Sequence, residues 1–214
     1  MKRLTSLILA TTLSIGLFNT VAIRVSARGN DTNIQVEKNY EIYPLPQNEV
    51  YLGSDFRITD EVNIVLEDGI DESTRNFIVE ILANNGINNT FSKEVVDNKT
   101  NIIIGVRGSA GYVDNYFNEN IEYNQEIFLE EDAYVLKVDN SFKENGVIAI
   151  LGDTTDSAYY GIATLKMIFN QIENNQIENV MYEDFADAKW RGFIEGFYGY
   201  PWSNEDRKSL MELK

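Results

Sequence analysis

The chain contains no cysteine and no histidine among its 214 residues. The absence of cysteine excludes a disulfide, a thiolate nucleophile and any thiolate metal site. The absence of histidine excludes a histidine-based triad, a histidine proton shuttle and a histidine-ligated metal. Carboxylates and tyrosines are therefore the only abundant titratable groups left for chemistry in this sequence.

Proline and positive charge are also scarce. Only three prolines are present, and Pro44 and Pro46 favour an extended approach into the first domain. The formal net charge is −16. A chain this acidic repels nucleic acids and anionic membrane surfaces, so we expect neither as a partner. The acidic excess is otherwise typical of a soluble surface.

The amino terminus has the layout of a secretory signal peptide. A basic start at Lys2 and Arg3 precedes a mostly apolar stretch over 4–23, and small residues suited to cleavage end it at Ala27. An uncleaved membrane anchor is the alternative, since the stretch approaches transmembrane length. We expect cleavage, export to the cell surface or beyond, and no stable membrane insertion afterwards. Residues 28–40 are predicted to be a disordered leader.

Residues 41–187 predict a single α+β domain in which helices cover one face of a small sheet. The β-branched run at 62–66 predicts a buried strand, and Asp71 begins a helix that ends at Gly86. Three further predicted strands, a helix and an edge strand follow. The three strands lie at 101–105, 133–138 and 146–152, and the last two are predicted as an antiparallel pair. The helix spans 153–171, and its apolar face carries Tyr160, Leu165, Ile168 and Phe169. The edge strand lies at 177–182.

The most distinctive run lies near the carboxyl terminus. Residues 191–202 read RGFIEGFYGYPW, and Ser203 to Asp206 can cap a following helix. Glycine in a strand usually marks a bend or a close backbone approach. The pattern indicates a strand, a glycine-punctuated loop and a helix start, which fits the first β-α unit of an α/β barrel over 188–214. A glycine-rich turn between two ordinary elements is the alternative.

This run resembles the start of the catalytic domain in glycoside hydrolase family 84, which includes secreted β-N-acetylglucosaminidases, hyaluronidase-type enzymes and O-GlcNAcases. The preceding region is more loosely similar to the small amino-terminal domain of families 84 and 20, and the run 156–165 resembles the last helix of that domain. The resemblance implies a truncated (β/α)8 barrel after the small domain, and N-acetylglucosamine-containing glycans or glycoproteins as partners.

The resemblance also implies a mechanism. Family 84 enzymes are retaining and substrate-assisted: the 2-acetamido oxygen of the sugar forms an oxazoline, and two neighbouring aspartates assist. Both aspartates lie about a hundred residues beyond this motif in the family. No catalytic residue is therefore assigned in this chain, no metal or cofactor is implied, and the 214-residue chain is expected to be inactive, with poor packing after about residue 190.

Four residues match substrate-binding positions of the family. Gly192 corresponds to a first-strand glycine beside the sugar hydroxyls, and Glu195, Phe197 and Tyr198 correspond to positions that shape the pocket floor. Glu195 has a supporting role in this interpretation and is not the general acid. Trp202 is expected in the core, and Asp184 and Asp187 are interpreted as connector charges.

Two alternatives remain open at the level of sequence. An exported acidic α+β domain could be a non-catalytic module that binds carbohydrate or protein. Similar small domains also precede family 20 hexosaminidases and some α-glucuronidases. The Glu-Gly-Phe-Tyr-Gly run at 195–199 favours family 84 over both enzyme classes, and the downstream pair would discriminate, being Asp-Asp in family 84 and Asp-Glu in family 20.

Overall fold

The computed structural model describes residues 40–141, 143–192 and 201–212, with side chains described through Ser209. The predicted signal peptide over 1–27 and nearly all of the predicted leader lie outside the described residues. No helix among the described residues is long and apolar enough to span a membrane.

Seven strands and four α-helices make up the described chain, with one short 3-10 helix at Gln125–Leu129. In chain order they are β1 (Asn48–Arg57), β2 (Glu61–Leu66), α1 (Glu72–Asn84), β3 (Asn88–Ser92), β4 (Asn101–Val106), α2 (Tyr112–Asn120), β5 (Tyr134–Asp139), β6 (Val147–Gly152), α3 (Thr155–Phe169), β7 (Gln176–Asp184) and α4 (Asn204–Glu212).

All seven strands belong to one mixed sheet with the order β1-β7-β5-β6-β4-β2-β3. The β3-β2-β4-β6 half is parallel, and β5, β7 and β1 add to it in antiparallel fashion. The predicted α+β class is confirmed, and so is the antiparallel pairing of β5 with β6.

Helices cover both faces of the sheet, so the expectation of one covered face is wrong. Alternate residues of β4 show this directly: Ile102 and Ile104 pack with α1 and α3, whereas Ile103 packs with Val113 and Phe117 of α2. Strands buried on both faces read as continuous apolar runs, as β4 and β6 do. That signal is present in the sequence, and it is the one that the expectation of a single covered face leaves out.

The starts of the two long helices are set by side-chain caps. The Asp71 carboxylate accepts a hydrogen bond from the Thr74 amide at 2.7 Å, and Thr154 forms a capping box with Ser157 at the start of α3. Each cap satisfies an amide that the first helical turn leaves without a partner. The sequence predicts both starts correctly.

Three strands of the structure, β7, β1 and β3, differ from what the sequence predicts. The strand β7 is not an edge strand, because β1 pairs with it along most of its length. The pairing of β1 contains an irregularity between Tyr51 and Asp55, with Gly53 at φ +79°. Both β1 and the short edge strand β3 are polar and irregular in pattern, so neither was predicted.

The segment after β7 differs sharply from the sheet. Every described side chain from Asp187 to Ser209 is exposed, apart from the half-buried Arg207. Trp202 is 44% exposed, so its expected place in the core is wrong. Tyr160 was also predicted on the apolar face of α3, but it is 42% exposed while Leu165 is fully buried.

Candidate functional site

Only one of the four predicted substrate-binding residues is described by the structure. Gly192 is exposed, and a Cβ built on it would meet no atom within 4 Å. Glu195, Phe197 and Tyr198 lie outside the described residues. Of the predicted site, the structure therefore describes Gly192 together with the neighbouring Arg191.

Arg191 is anchored to the sheet domain by an ion pair. Its guanidinium binds the carboxylate of Asp132 and lies 3.5 Å from the hydroxyl of Tyr160. The same guanidinium lies over the Tyr160 ring, 5.6 Å from the centroid. A planar guanidinium can make both contacts at once, whereas a lysine ammonium cannot reproduce that geometry. The backbone of Asp132 is left-handed at φ +56°, a conformation that aspartate tolerates.

Two further contacts hold the connector that precedes Arg191. The Ala186 amide donates to the Glu131 carbonyl at 2.9 Å, and the Lys189 ammonium pairs with the Glu131 carboxylate at 2.6 Å. The connector over residues 186–191 is therefore bound to the loop before β5. These contacts fix the direction in which the chain leaves the sheet domain.

Asp184 and Asp187 have partners in the structure and are more than connector charges. Gln47 donates from its backbone to Asp184 at 3.2 Å and from its side chain to Asp187 at 2.7 Å. Asp184 also accepts from the buried hydroxyl of Tyr134 at 3.1 Å. Burial raises the pKa of Asp184 above its ordinary value, although these hydrogen bonds oppose the rise. The pair joins the amino-terminal approach to the end of β7.

A second polar cluster lies at the carboxyl ends of β2 and β4, where Glu67 is only 8% exposed. Its carboxylate accepts three hydrogen bonds of 2.8 Å, from the amides of Val106 and Asp114 and from the hydroxyl of Ser109. In open α/β sheets this edge is the usual place for a ligand. Here the side chain of Glu67 occupies that edge of the sheet. We therefore assign Glu67 a role in holding the loop that leads into α2.

No group of three or more acidic side chains that could hold a metal ion occurs within the described ranges 40–141, 143–192 and 201–212. Sequence reasoning missed both the Arg191–Asp132 pair and the Glu67 cluster. In both the ion pair and the Glu67 cluster the partners are far apart in sequence, so hydrophobic periodicity gives no signal for either. The glycines Gly105 and Gly111 beside the Glu67 carboxylate are the one local hint of close packing there.

Two family models match the chain in consecutive segments. The model described as glycosyl hydrolase family 20, domain 2, matches residues 39–185. The model described as β-N-acetylglucosaminidase matches residues 191–214. The first match ends at the end of β7, and the second begins at the anchored Arg191. The predicted division at 187/188 falls between them, and the division itself stays a prediction.

Two solved structures are similar to this chain over most of its length. CpGH84D is 48% identical with a TM-score of 0.77, and the match covers 81% of this chain and 28% of that one. CpGH84B is 25% identical with a TM-score of 0.64, over 82% of this chain and 28% of that one. The chain thus spans little more than a quarter of the length of these relatives.

A third similar structure shows the fold alone. It is a family 20 exo-β-N-acetylglucosaminidase from Vibrio harveyi, 17% identical with a TM-score of 0.56, over 79% of this chain and 23% of that one. The fold of this chain is therefore also found in a family 20 enzyme. The resemblance to glycoside hydrolase family 84 is confirmed, and the chain belongs to the glycosyl hydrolase family 20, domain 2 family through residues 39–185.

Proposed function

We propose that this chain is the amino-terminal part of an exported, retaining β-N-acetylglucosaminidase that acts on glycans or glycoproteins. The observation that carries the proposal is the succession of two family matches, a family 20 domain 2 followed at Arg191 by a β-N-acetylglucosaminidase segment. The 48% identity to CpGH84D supports the same assignment.

The proposed reaction is substrate-assisted hydrolysis. The acetamido carbonyl oxygen of the substrate attacks the anomeric carbon while one aspartate takes the acetamido N–H proton, and the bond to the leaving oxygen breaks as that oxygen takes a proton from the other, an aspartic acid. Water then opens the oxazoline at the anomeric carbon and gives a proton to the second of these aspartates, while the first returns its proton to the nitrogen, so the anomeric configuration is retained. Both assisting aspartates belong to the polypeptide beyond this chain in this proposal.

The role proposed for this chain's own residues is to position the first strand of the catalytic domain. Arg191 is the first residue of the β-N-acetylglucosaminidase match and is bound to Asp132 of the sheet domain. Gly192 follows it and is exposed, and a Cβ built on it would meet no described atom within 4 Å. This position is proposed to lie beside a sugar hydroxyl. Glu195, Phe197 and Tyr198 are proposed to shape the pocket floor, with Glu195 supporting.

The test is to translate the reading frame beyond Lys214 and to assay the product on an aryl β-N-acetylglucosaminide. We expect the longer protein to release the phenol with retention, and the 214-residue chain to release none. Replacing each aspartate of the predicted downstream Asp-Asp pair by asparagine supplies inactive controls. A longer protein that binds N-acetylglucosamine glycans but hydrolyses none would favour a binding module and contradict the proposal.

Export is tested separately from catalysis. We expect the mature protein to be found outside the cytoplasmic membrane with its amino terminus at Arg28, because the cleavage signal ends at Ala27. Sequencing the amino terminus of the purified protein decides the matter. A mature protein that still begins at Met1 would contradict signal cleavage.

A further inference from the structure

Three large apolar side chains are exposed in segments that meet where the chain leaves the sheet domain. Leu129 is 83% exposed, Tyr160 is 42% exposed and Trp190 is 87% exposed. Leu129 is two residues before Glu131, which binds Lys189, and Tyr160 contacts Arg191. We call Leu129, Tyr160, Trp190 and Arg191 together the exit surface.

We propose that the exit surface is the docking site of the domain that continues from Arg191, and that the Asp132–Arg191 ion pair positions that domain. The inference rests on the proposed function, because the occupant is the proposed catalytic domain. Arg191 acts through the orientation of the polypeptide that follows it. It is a positioning residue and not a catalytic one.

The covalent connection favours this occupant. Arg191 belongs to the exit surface and is also the first residue of the segment that the β-N-acetylglucosaminidase model matches, and Trp190 directly precedes it. A body attached directly beside a surface meets it at a high effective concentration, so a modest apolar area is enough for docking. The match covers 28% of CpGH84D, so that relative has a large body outside the matched part.

The anchoring contacts give the second argument. A flexible linker between independent domains needs few contacts with either of them. Here the connector is bound at Ala186, Lys189 and Arg191 in succession. The Asp132 side chain is 29% exposed and that of Arg191 is 40% exposed, so a domain seated on this surface would cover the ion pair. Covering would strengthen the ion pair, because its charges would be screened less by water.

Cysteine labelling tests the docking, because the chain has no cysteine of its own. Leu129→Cys is placed in the 214-residue chain and in the longer protein, and the rate of reaction with a maleimide is measured in both. Phe91→Cys is the matched control, since Phe91 is 43% exposed on the edge strand β3, at the other edge of the sheet from β1. The longer protein without either substitution gives the background.

We expect Leu129→Cys to react at least about tenfold more slowly in the longer protein, because thiol reactivity follows exposure, while Phe91→Cys reacts equally in both. Equal rates for Leu129→Cys would overturn the docking proposal. Protection that appears in the 214-residue chain as its concentration rises would assign the surface to a second copy and would also overturn it.

The ion pair is tested by Asp132→Asn in the longer protein carrying Leu129→Cys. We expect labelling to become several-fold faster, because the following domain is held less firmly. Asp60→Asn, which breaks the exposed Arg57–Asp60 pair, is the control and should change nothing. Protection that is unaffected by Asp132→Asn would overturn the positioning role.

The outcomes separate this inference from the proposed function. An active longer protein with an unprotected Leu129→Cys thiol contradicts the inference alone. A protected thiol in a longer protein that hydrolyses no aryl β-N-acetylglucosaminide contradicts the proposed function alone. A stop codon directly after Lys214 leaves no occupant and contradicts both.

Discussion

Residues 40–184 and the segment after them use apolar side chains in opposite ways. In the sheet domain, Ile64, Ile104 and Ile148 are all fully buried between layers. After β7, the two tryptophans of the chain, Trp190 and Trp202, are both substantially exposed. Apolar side chains therefore form the packed core in the first region, whereas the two tryptophans of the second region lie at the surface.

The comparison separates what stabilises the protein from what identifies it. The motif that resembles family 84 belongs to the second region, whose described side chains are mostly exposed, and the first region contains the packed core. Changes in the first region are expected to affect unfolding, whereas changes in the second region are expected to affect docking and activity.

Ile104→Ala is expected to have the largest effect. Ile104 is fully buried in β4, the third strand from one edge of the seven-stranded sheet. Removing three carbons from a packed interior costs about 2–5 kcal/mol of the free energy of unfolding, through lost burial and the cavity left behind. Urea denaturation of the 214-residue chain measures it. A loss below about 1 kcal/mol would contradict the packing described for this region.

Glu67→Gln is expected to cost about 2–3 kcal/mol, because hydrogen bonds to a buried charge are strong and the amide replaces an acceptor by a donor. The carboxylate accepts from the amides of Val106 and Asp114. Hydrogen exchange at these two amides should accelerate more than exchange in β5. Glu61→Gln, at the half-exposed end of β2, is the control and should leave both amides protected.

Gly161→Ala is expected to destabilise α3 by about 1–2 kcal/mol through overpacking, although the same change in an exposed helix stabilises. A Cβ at Gly161 would lie 2.7 Å from Cγ2 of Ile150 and 3.1 Å from Cδ2 of Tyr134. Thermal unfolding gives the sign directly. A higher melting temperature for the variant would show that β5 and β6 move aside readily.

Asp184→Asn is expected to change how stability depends on pH. Burial holds the pKa of Asp184 above the ordinary value of 3.8, so the folded protein binds this proton more tightly than the unfolded chain does. The stability contributed by the group is therefore lost as the pH rises from 3.8 through the folded pKa. Relative to the variant, the wild-type protein should lose stability as the pH rises above 3.8 and through the raised pKa of folded Asp184. A difference independent of pH would contradict the assignment.

Trp190→Ala is expected to have the smallest effect. Trp190 is 87% exposed, so its replacement should alter the free energy of unfolding of the 214-residue chain by less than about 0.5 kcal/mol. Urea midpoints of wild type and variant, measured side by side, give the comparison. A larger loss would place part of the core at the connector.

Sequence reasoning recovers the elements whose local signals agree with their packing. The strand at 62–66, the helix cap at Asp71 and the pair β5 and β6 all combine a clear pattern with a clear boundary. The polar strand β1 escapes prediction because its irregular pairing breaks the alternation that marks a strand. The short β3 escapes because only Phe91 in it is strongly apolar.

The residues of the candidate site are predicted from the family resemblance, but the ion pair that anchors Arg191 is not. Arg191 belongs to the motif, but its partner Asp132 lies in a loop 59 residues earlier. Tyr160 was expected to be buried because helical spacing places it with Leu165 and Ile168. In the structure Tyr160 is 42% exposed and its ring lies beneath the guanidinium of Arg191, and no single-sequence pattern encodes such a long-range pair.

Limited digestion with trypsin tests the separation of the two regions most directly. Lys189, Arg207 and Lys208 lie in the exposed segment, whereas Lys137 lies in β5 with its side chain only 15% exposed. We expect mass spectrometry to find the first cuts after Lys189, Arg207 or Lys208, and a fragment spanning 39–189, which begins after Lys38, to persist. Cleavage between β2 and β7 at the same rate as in the connector would contradict the account.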